Sequence, residues 1–336
     1  MTTTLPVIDL SPFAAGAGPS AAADEMARLL DEQCRHTGFL MVANHTVTDA
    51  AKQRMLAAMR AFFALPAEQK EAIAIGRSNC HRGYVGIGTE TLDDANTMAG
   101  DLKETIDTGA DHEPDHPEVL AGTPMFGPNQ LPTDPEFRAA FDEYRAVAIE
   151  TAERVMRAMA IALDLPTEHF LSLGEVLHQL RLVHYPRQSD LPPTEGQLGC
   201  GAHTDYGQLT VLADDGVGGL QVMRRSGEWI DVTIPADLLV VNLGDLMNIW
   251  TNGRWVSNPH RVVNPVDVDR YSMPLFVTPP YWTTIECLPS CLAEGDEPRF
   301  APVQSGPYLL SRFDSTHSYL NPLLEEHNHG LITAYR

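Results

Sequence analysis

From Val176 onward, glycine, proline and aspartate divide the chain into short apolar runs, and this pattern limits the fold more than any other sequence feature. Side-chain alternation within the runs predicts strands at 180–185, 208–213, 220–223, 229–232, 238–243, 254–256, 261–263, 270–278 and 281–286. Many short strands at such spacing are typical of a sandwich or a barrel. The second half of the chain is therefore expected to form a β core.

The first half of the chain has a helical periodicity that the second half lacks. Apolar residues recur at helical spacing over 21–35, from Asp49 to Pro66, and over 134–163. Asp49 is expected to cap the second of these helices. Further strands are expected at 5–10, 39–43 and 101–107, and a last helix at 308–315. The prediction is an α+β chain in one compact unit, with an N-terminal helix-rich portion packed on a mainly β core and a C-terminal helical extension, divided as 1–175, 176–288 and 289–336.

Residues 111–135 carry six prolines and no periodicity, so they are expected to form a surface loop. His112 and His116 lie four positions apart inside this loop. Four residues separate neighbours on one face of a helix, but the prolines argue against a helix here. Both histidines are therefore expected to be exposed to solvent and not to face each other.

His203, Asp205 and His260 are candidate metal ligands. Side chains two positions apart in a strand point the same way, so His203 and Asp205 present an imidazole and a carboxylate to one point. With His260 they make two histidines and one carboxylate, a set that covers one face of an octahedral metal and leaves the other open. Non-haem Fe(II) oxygenases use this set, and zinc also accepts it.

Arg270 and Ser272 form a second pair two positions apart on a predicted strand. A guanidinium fork and a hydroxyl on one face suit a carboxylate. A metal site beside a carboxylate receptor indicates an oxo-acid co-substrate that chelates iron. A zinc hydrolase would not need such a receptor.

These residues, in this order, resemble the 2-oxoglutarate- and Fe(II)-dependent oxygenases of the isopenicillin N synthase-like family. The resemblance extends to the segments LPVIDL (5–10), GF (38–39) with VANH (42–45), DLKE (101–104), YP (185–186) and WTNGRW (250–255). It implies a double-stranded β-helix, or jelly roll, with the iron at its open end. It also implies the ligand roles: Fe(II) held by His203, Asp205 and His260, and 2-oxoglutarate by Arg270, Ser272 and Tyr185.

The reaction implied by the resemblance is oxidation of an unactivated C–H bond in a small-molecule metabolite. Hydroxylation is the main expectation, with desaturation and cyclisation as variants, and O2 and 2-oxoglutarate are consumed with release of succinate and CO2. The iron centre carries the chemistry, with no separate acid or base residue. Val183 departs from the asparagine common in the plant members, so one hydrogen bond to 2-oxoglutarate is either missing or supplied elsewhere.

Three alternatives share these residues. A same-fold oxidase would use Arg-x-Ser to hold a substrate carboxylate, and an ethylene-forming enzyme would break down 2-oxoglutarate itself. A non-catalytic module that binds a small ligand is the third, although intact metal ligands argue against it.

The resemblance places five residues around the substrate pocket: Arg181, Thr105, Asp107, Phe276 and Thr278. Tyr84 is added as a sixth because it lies in the glycine-rich segment 76–88, which is expected to form a mobile loop near the mouth of the site. The opposite charges of Arg181 and Asp107 predict a small polar or zwitterionic substrate, such as an amino-acid-like metabolite. The alternative is that Arg181 and Asp107 simply pair with each other. Tyr206 either packs over the metal ligands or belongs to the core.

The charge balance excludes some partners. With 23 basic and 45 acidic residues the formal net charge is −22, which argues against nucleic acid and anionic membranes. No apolar run long enough for a membrane span and no secretory signal are visible, and five scattered cysteines indicate reduced thiols. Cys287 and Cys291 are taken as packing residues. A cytoplasmic monomer is expected.

Overall fold

The computed structural model describes residues 5–92, 100–194, 196–264 and 266–316. Their α-helices are α1 (Ala21–His36), α2 (Asp49–Phe63), α3 (Ala67–Glu71), α4 (Pro117–Leu120), α5 (Pro135–Ala162), α6 (Asp245–Trp250) and α7 (Ser305–Thr316). Their strands are β1 (Val7–Asp9), β2 (Phe39–Ala43), β3 (Gly83–Val85), β4 (Glu104–Asp107), β5 (Leu177–Tyr185), β6 (Cys200–His203), β7 (Leu209–Asp214), β8 (Leu220–Met223), β9 (Trp229–Val232), β10 (Leu239–Leu243), β11 (His260–Val262), β12 (Arg270–Thr278), β13 (Thr284–Ile285) and β14 (Val303–Gln304). None of the described helices has the length and apolarity needed to cross a bilayer.

The helices of the first half lie where the periodicity predicts them and form a support for the sheet. The Ser20 hydroxyl accepts the N–H of Ala23 ahead of α1. Ahead of α2 the cap is Thr48, which accepts the N–H of Ala51, and the predicted cap Asp49 is instead the first helical residue. Both helices pack against the long helix α5.

An eight-stranded sheet unites the two halves of the chain. Its order is β1-β2-β10-β7-β12-β5-β4-β3, and its pairs are antiparallel except for β1 with β2. Strands from the first 175 residues therefore extend the sheet at both ends. The core of the protein lies between this sheet and the helices α1, α2 and α5.

Alternation along the central strands separates the core from the functional face. Leu180 and Leu182 on β5 are fully buried in the core beneath the helices. Arg181, Val183 and Tyr185, which alternate with them, line cavities on the other face. The same alternation on β12 places its even-numbered residues from 270 to 278 on that face.

A four-stranded sheet, ordered β6-β11-β8-β9, covers this functional face. The two sheets enclose residues from both, and the arrangement is the predicted jelly roll with a mainly β core. Strand β6 lies at the edge of the small sheet, and its pairing with β11 is irregular between His260 and Val262. Residues 100–102 run along its outer side, where the Leu102 N–H donates to the Leu198 carbonyl.

The strand predicted at 254–256 is wrong. This segment is part of a loop after α6, in which Asn252 and Gly253 have φ values of 54° and 76°. The Trp255 side chain is fully buried, and its indole N–H donates to Asp31 on α1 at 2.7 Å. An aromatic residue followed by a β-branched one gives the pattern of a strand, although here the aromatic ring is buried against a helix.

The strand predicted at 281–286 is reduced to β13. Tyr281 and Trp282 form a turn that the Thr283 N–H closes by donating to the carbonyl of Pro280. Proline at that position favours the turn over a continuing strand.

Candidate metal centre and its two cavities

Three side chains that could bind a metal meet between the two sheets. His203 ends β6, Asp205 follows two residues later, and His260 begins β11 directly opposite His203. The Nε2 atoms of His203 and His260 lie 3.7 and 3.6 Å from Oδ1 of Asp205. All three ligand atoms are within 4.8 Å of one another. The predicted ligands are thus brought to one point, with the spacing that a single ion requires.

Two buried polar groups on the large sheet orient Asp205. The Thr210 hydroxyl on β7 and the Asn242 amide on β10 both donate to its Oδ2, the amide at 2.6 Å. Oδ1 is thereby left to face the histidines. Burial raises the pKa of Asp205, but the two imidazoles and these hydrogen bonds outweigh it and hold the pKa below its usual range. The carboxylate is therefore ionised where a cation would bind.

The two histidines have the tautomer that metal binding needs. Nδ1 of His203 lies 2.8 Å from the carbonyl of Gly201, and Nδ1 of His260 lies 3.2 Å from the carbonyl of Asn258. Because a carbonyl only accepts, these contacts assign the proton to Nδ1 and leave the Nε2 lone pair toward Asp205. Burial and the neighbouring His203 lower the pKa of His260 to about 4, so this imidazole is neutral.

Arg270, Ser272 and Tyr185 form the far wall of the cavity that contains the three ligands. The guanidinium of Arg270 lies over the Tyr185 ring, 4.8 Å from its centroid. Its Nε donates to the carbonyl of Gly218 at 2.5 Å, and its Nη2 lies 3.7 Å from Asp214. Its Nη1 is buried and has no hydrogen-bond partner among the described residues.

The unpartnered Nη1 of Arg270 bears on whether the cavity fits the expected co-substrate, 2-oxoglutarate. Arg270 is only 1% exposed, and a buried cationic donor without an acceptor is costly. A carboxylate placed between Nη1 and the Ser272 hydroxyl would satisfy it. Since the same cavity reaches the metal ligands, a short dicarboxylate with an oxo-acid end fits from wall to metal. The residues present therefore fit Fe(II) and 2-oxoglutarate.

Val183 lies on the same wall but supplies only apolar surface. It packs with Tyr185, Cys200 and Val262. The Lys103 ammonium also lines this cavity. The hydrogen bond that an asparagine would offer at position 183 is thus absent from that side chain.

A second cavity opens on the other side of the metal ligands and shares His203 and Asp205 with the first. Four of the six predicted substrate-pocket residues line it: Arg181, Asp107, Phe276 and Thr278. Thr105 is on the same face of β4 but behind the lining, where its hydroxyl donates to Asp107 at 3.1 Å. Helix α7 adds Leu309 and Phe313, which the sequence did not indicate.

Tyr84 is not brought to either cavity. Its register partner on β4 is Ile106, which points to the helix side of the sheet. The hydroxyl donates to Glu104 at 2.6 Å, and the ring packs edge-on against Phe62. The prediction placed Tyr84 in the pocket because the residue lies in a glycine-rich segment. It did not take into account which face of β3 carries the side chain.

Arg181 is paired, as the alternative interpretation expected. Its Nε and Nη2 contact the two oxygens of Asp107 at 2.7 and 2.8 Å. Its Nη1 contacts Glu90 at 3.0 Å, an acidic partner that the sequence did not reveal. Both carboxylates and the guanidinium line the second cavity. Recognition of a substrate by this group stays a prediction.

Tyr206 lines the second cavity beside the metal ligands. Its ring meets that of Phe313 edge-on at 6.2 Å, and the Arg312 guanidinium lies 4.9 Å from its centroid. Tyr206 therefore connects α7 to the metal site, which agrees with the interpretation that it packs over the ligands.

The prediction for His112 and His116 is wrong. His112 is buried, the two rings are 4.6 Å apart, and their Nε2 atoms lie 2.6 and 3.6 Å from the two oxygens of Glu175. The short helix α4, which starts after His116, brings them together. Each Nδ1 accepts a backbone N–H, from Gly127 and Glu118 respectively. These contacts assign the protons to Nε2, which is the opposite tautomer to that of His203. His112, His116 and Glu175 therefore form a hydrogen-bonded cluster.

Sequence comparisons match the chain on both sides of residue 175. A profile described as the N-terminal region of the non-haem dioxygenase in morphine synthesis matches residues 5–134, and a profile of the 2OG-Fe(II) oxygenase superfamily matches residues 177–279. The 2-oxoglutarate-Fe(II) type oxidoreductase hxnY of Emericella nidulans is 36% identical, over 90% of this chain and 87% of that protein. The homoarginine-6-hydroxylase 2-ODD-233 of Oryza sativa subsp. japonica is 32% identical, over 92% of this chain and 96% of that protein.

Solved structures give the same result. A full-length Neurospora crassa protein in complex with alpha-KG superposes with a TM-score of 0.79 at 29% identity, covering 93% of this chain and 96% of that chain. The same protein with alpha-KG and thymine superposes with a TM-score of 0.77 at 28% identity and the same coverage.

Proposed function

We propose, from the premise that this chain belongs to the 2OG-Fe(II) oxygenase superfamily, that His203, Asp205 and His260 hold its iron and that Arg270, Ser272 and Tyr185 hold its 2-oxoglutarate. The protein is a 2-oxoglutarate-dependent dioxygenase that oxidises a small-molecule substrate. We propose hydroxylation of an unactivated C–H bond as the outcome. The proposal includes a monomer in the cytoplasm, where the five unpaired cysteines stay reduced.

The observation that carries the assignment is the buried, unpartnered Nη1 of Arg270 in the cavity of the three ligands. A cationic donor at that depth requires a carboxylate, which is the distal one of a dicarboxylate co-substrate or, in the same-fold oxidase, one on the substrate. A dicarboxylate co-substrate gives both ends of the cavity a partner.

The residues of the chain bind, orient and enclose. When bound, the iron supplies the oxygen chemistry, which is coupled to the conversion of 2-oxoglutarate into succinate and CO2. Asp205 is fixed by Thr210 and Asn242, so its Oδ1 would be presented to a bound ion from one direction. Arg270 sets the depth at which the co-substrate enters. The apolar surface of Val183 and its neighbours limits water in the cavity.

The residues that line the second cavity favour a small polar substrate with hydrogen-bond donors, such as an amino-acid-like metabolite. Its wall combines the carboxylates of Asp107 and Glu90 with one guanidinium, so acceptor oxygens for an amine or amide are present. Phe276 adds apolar surface beside this group, with its ring centroid 5.8 Å from the Arg181 guanidinium, and Phe313 of α7 also lines the cavity. Homoarginine in the name of the rice relative and thymine in the Neurospora crassa complex are both small and rich in N–H groups, which agrees with this substrate class.

A substrate screen tests the function. The purified protein with Fe(II), ascorbate and 2-oxoglutarate is given basic and neutral amino acids, homoarginine, pyrimidine bases and small carboxylic acids, and succinate is measured. We expect one amine- or amide-bearing compound to stimulate succinate formation and to gain one oxygen atom by mass spectrometry. Product without succinate would identify the oxidase alternative, and ethylene in the headspace the ethylene-forming one. Stimulation by carboxylic acids alone would contradict the substrate class.

Arg181→Ala tests the charged wall. The change removes the shared partner of Asp107 and Glu90, so the positions of both carboxylates shift and the KM for the substrate found in the screen is expected to rise. Losing one polar contact made to a charged group costs roughly 1.5–3 kcal/mol, or about 10- to 150-fold in KM. Steady-state kinetics measure this, with the KM for the co-substrate as the internal reference. Unchanged turnover of the true substrate would end the charged-wall idea.

A matched variant controls for stability. Lys70→Met removes an equally buried cation, paired with Glu104 at 2.6 Å on the other face of the sheet. This variant is expected to lose stability as Arg181→Ala does and to keep the KM for the substrate.

A further inference from the structure

We propose that Asp101 is a positioning residue for the iron centre, and that Lys103 and Glu90 connect it to Arg181 in the wall of the substrate cavity. The inference rests on the proposed function in that it takes His203 as an iron ligand. Asp101 itself touches neither the metal ligands nor the substrate cavity. It acts on the backbone of the strand that carries His203.

Strand β6 lies at the edge of the small sheet, with a partner strand on its inner side only. Its pairing with β11 is interrupted between His260 and Val262, so the ladder of hydrogen bonds on that side is incomplete. On the outer side, Oδ1 of Asp101 accepts the N–H of Gly201 at 2.9 Å. The carbonyl of Gly201 in turn accepts Nδ1–H of His203 at 2.8 Å. Asp101 therefore holds the residue that sets the tautomer and the direction of the His203 ring.

The surrounding chain strengthens the anchor. The Leu102 N–H donates to the Leu198 carbonyl at 3.0 Å, and the Gln197 side chain donates to the Gly100 carbonyl at 2.7 Å. Residues 100–102 therefore run alongside residues 197–201. Within this segment, Asp101 makes the contact nearest to His203, at Gly201.

Lys103 pairs with Asp101 and holds its carboxylate in place. Its Nζ lies 2.5 Å from Oδ2 of Asp101 and 3.0 Å from Glu90, and its third hydrogen is directed to Sγ of Cys200 at 3.4 Å. Lys103, Asp101 and Glu90 are each at most 5% exposed. Buried charges at this depth are stable only when paired, so removing one releases the others.

Glu90 extends the group of charges to the substrate cavity. One of its oxygens contacts Lys103 and the other contacts Nη1 of Arg181, which also pairs with Asp107. The signs alternate along the line from Asp101 to Asp107. A substrate that hydrogen-bonds to Glu90 or Arg181 would therefore change the ion pairs that hold Asp101. Asp101 in turn holds strand β6, which carries the proposed iron ligand His203.

The test measures metal affinity directly, by anaerobic calorimetric titration of the protein with Mn(II), which binds the ligand set without turnover. Asp101→Ala is expected to weaken Mn(II) binding by roughly 10- to 100-fold, the range seen for outer-shell partners of metal ligands. Asp101→Asn keeps an oxygen that accepts the Gly201 N–H, so it is expected to restore most of the affinity. Glu104→Ala is the control, since it removes a buried, paired carboxylate from the other face of β4. Its thermal stability should fall while its Mn(II) affinity stays.

A second pair of variants covers the case in which Asp101→Ala does not fold. Lys103→Met leaves two carboxylates without their shared cation and is expected to weaken Mn(II) binding. Lys70→Met removes a partly buried lysine that pairs with a carboxylate and is expected to leave Mn(II) binding unchanged. Wild-type Mn(II) affinity in Asp101→Ala or Lys103→Met, or an equal loss in the controls, would overturn the inference. His260→Ala in the same titration separates the two hypotheses: if it binds Mn(II) normally, the metal site itself is wrongly assigned.

Discussion

Replacing His260 with alanine is expected to abolish metal binding and all 2-oxoglutarate-dependent oxidation. The ion would keep one imidazole and one carboxylate, because the Nε2 atom of His260 is one of the three ligand atoms of this site, which lie within 4.8 Å of one another. Loss of an outer-shell partner alone costs roughly 10- to 100-fold in affinity or activity, and loss of a direct ligand should exceed that range. Anaerobic titration with Mn(II) and succinate formation in the presence of substrate measure the two effects.

His112→Ala is the matched control for this experiment. His112 is as buried as His260 and also lies beside a histidine and a carboxylate, but its protons are arranged for hydrogen bonding. We expect lower thermal stability with normal metal affinity and normal succinate formation. Retained activity in His260→Ala, or lost activity in His112→Ala, would mean that the wrong cluster has been assigned to iron.

Replacing Arg270 with methionine is expected to give the second largest effect, a loss of 2-oxoglutarate binding. Methionine has a similar length but no donor, so the co-substrate carboxylate would be buried without its cationic partner. Truncating one member of a buried charge pair costs roughly 2–5 kcal/mol, which is about 30- to 4,000-fold in Kd. Calorimetric titration of the Mn(II)-loaded protein with 2-oxoglutarate measures it. Mn(II) affinity without co-substrate should not change.

Two further variants show which property of Arg270 is responsible for the loss of 2-oxoglutarate affinity. Arg270→Lys keeps the charge without the planar fork, so its affinity for 2-oxoglutarate should lie between those of the wild type and Arg270→Met. Arg224→Met removes a surface arginine from an ion pair with Glu228 and should bind normally. If Arg270→Met binds 2-oxoglutarate as the wild type does, the receptor lies elsewhere in the cavity and the proposed depth of the co-substrate is wrong.

The pairing of Arg270 with Ser272 was predictable because both lie on one face of β12. Alternation also indicated His203 with Asp205, but β6 ends at His203, so the position of Asp205 depends on the segment after the strand. His260 needed the resemblance, since nothing local indicates which distant histidine pairs with His203. The register between β6 and β11 is set by the small sheet as a whole.

The partners that orient the site left weaker signals. Thr210 and Asn242 are polar residues inside apolar strands, and that contrast was available in the sequence. Glu90 lies outside any strand or helix, so its contact with Arg181 could come only from three-dimensional structure. The histidines at 112 and 116 were misjudged because a four-residue helix is too short to leave a periodic pattern.

Helix α7 forms part of the substrate cavity through Leu309 and Phe313 but contributes nothing to the wall that holds 2-oxoglutarate, among the residues described for each cavity. The metal and its co-substrate depend on the two sheets, whereas the shape available to the substrate depends partly on the last helix before residue 317. Part of the surroundings of the substrate is thus supplied by a helix that carries none of the three candidate metal ligands. Exchanging Leu309 or Phe313 on this helix is expected to change which substrates are accepted while all three metal ligands stay in place.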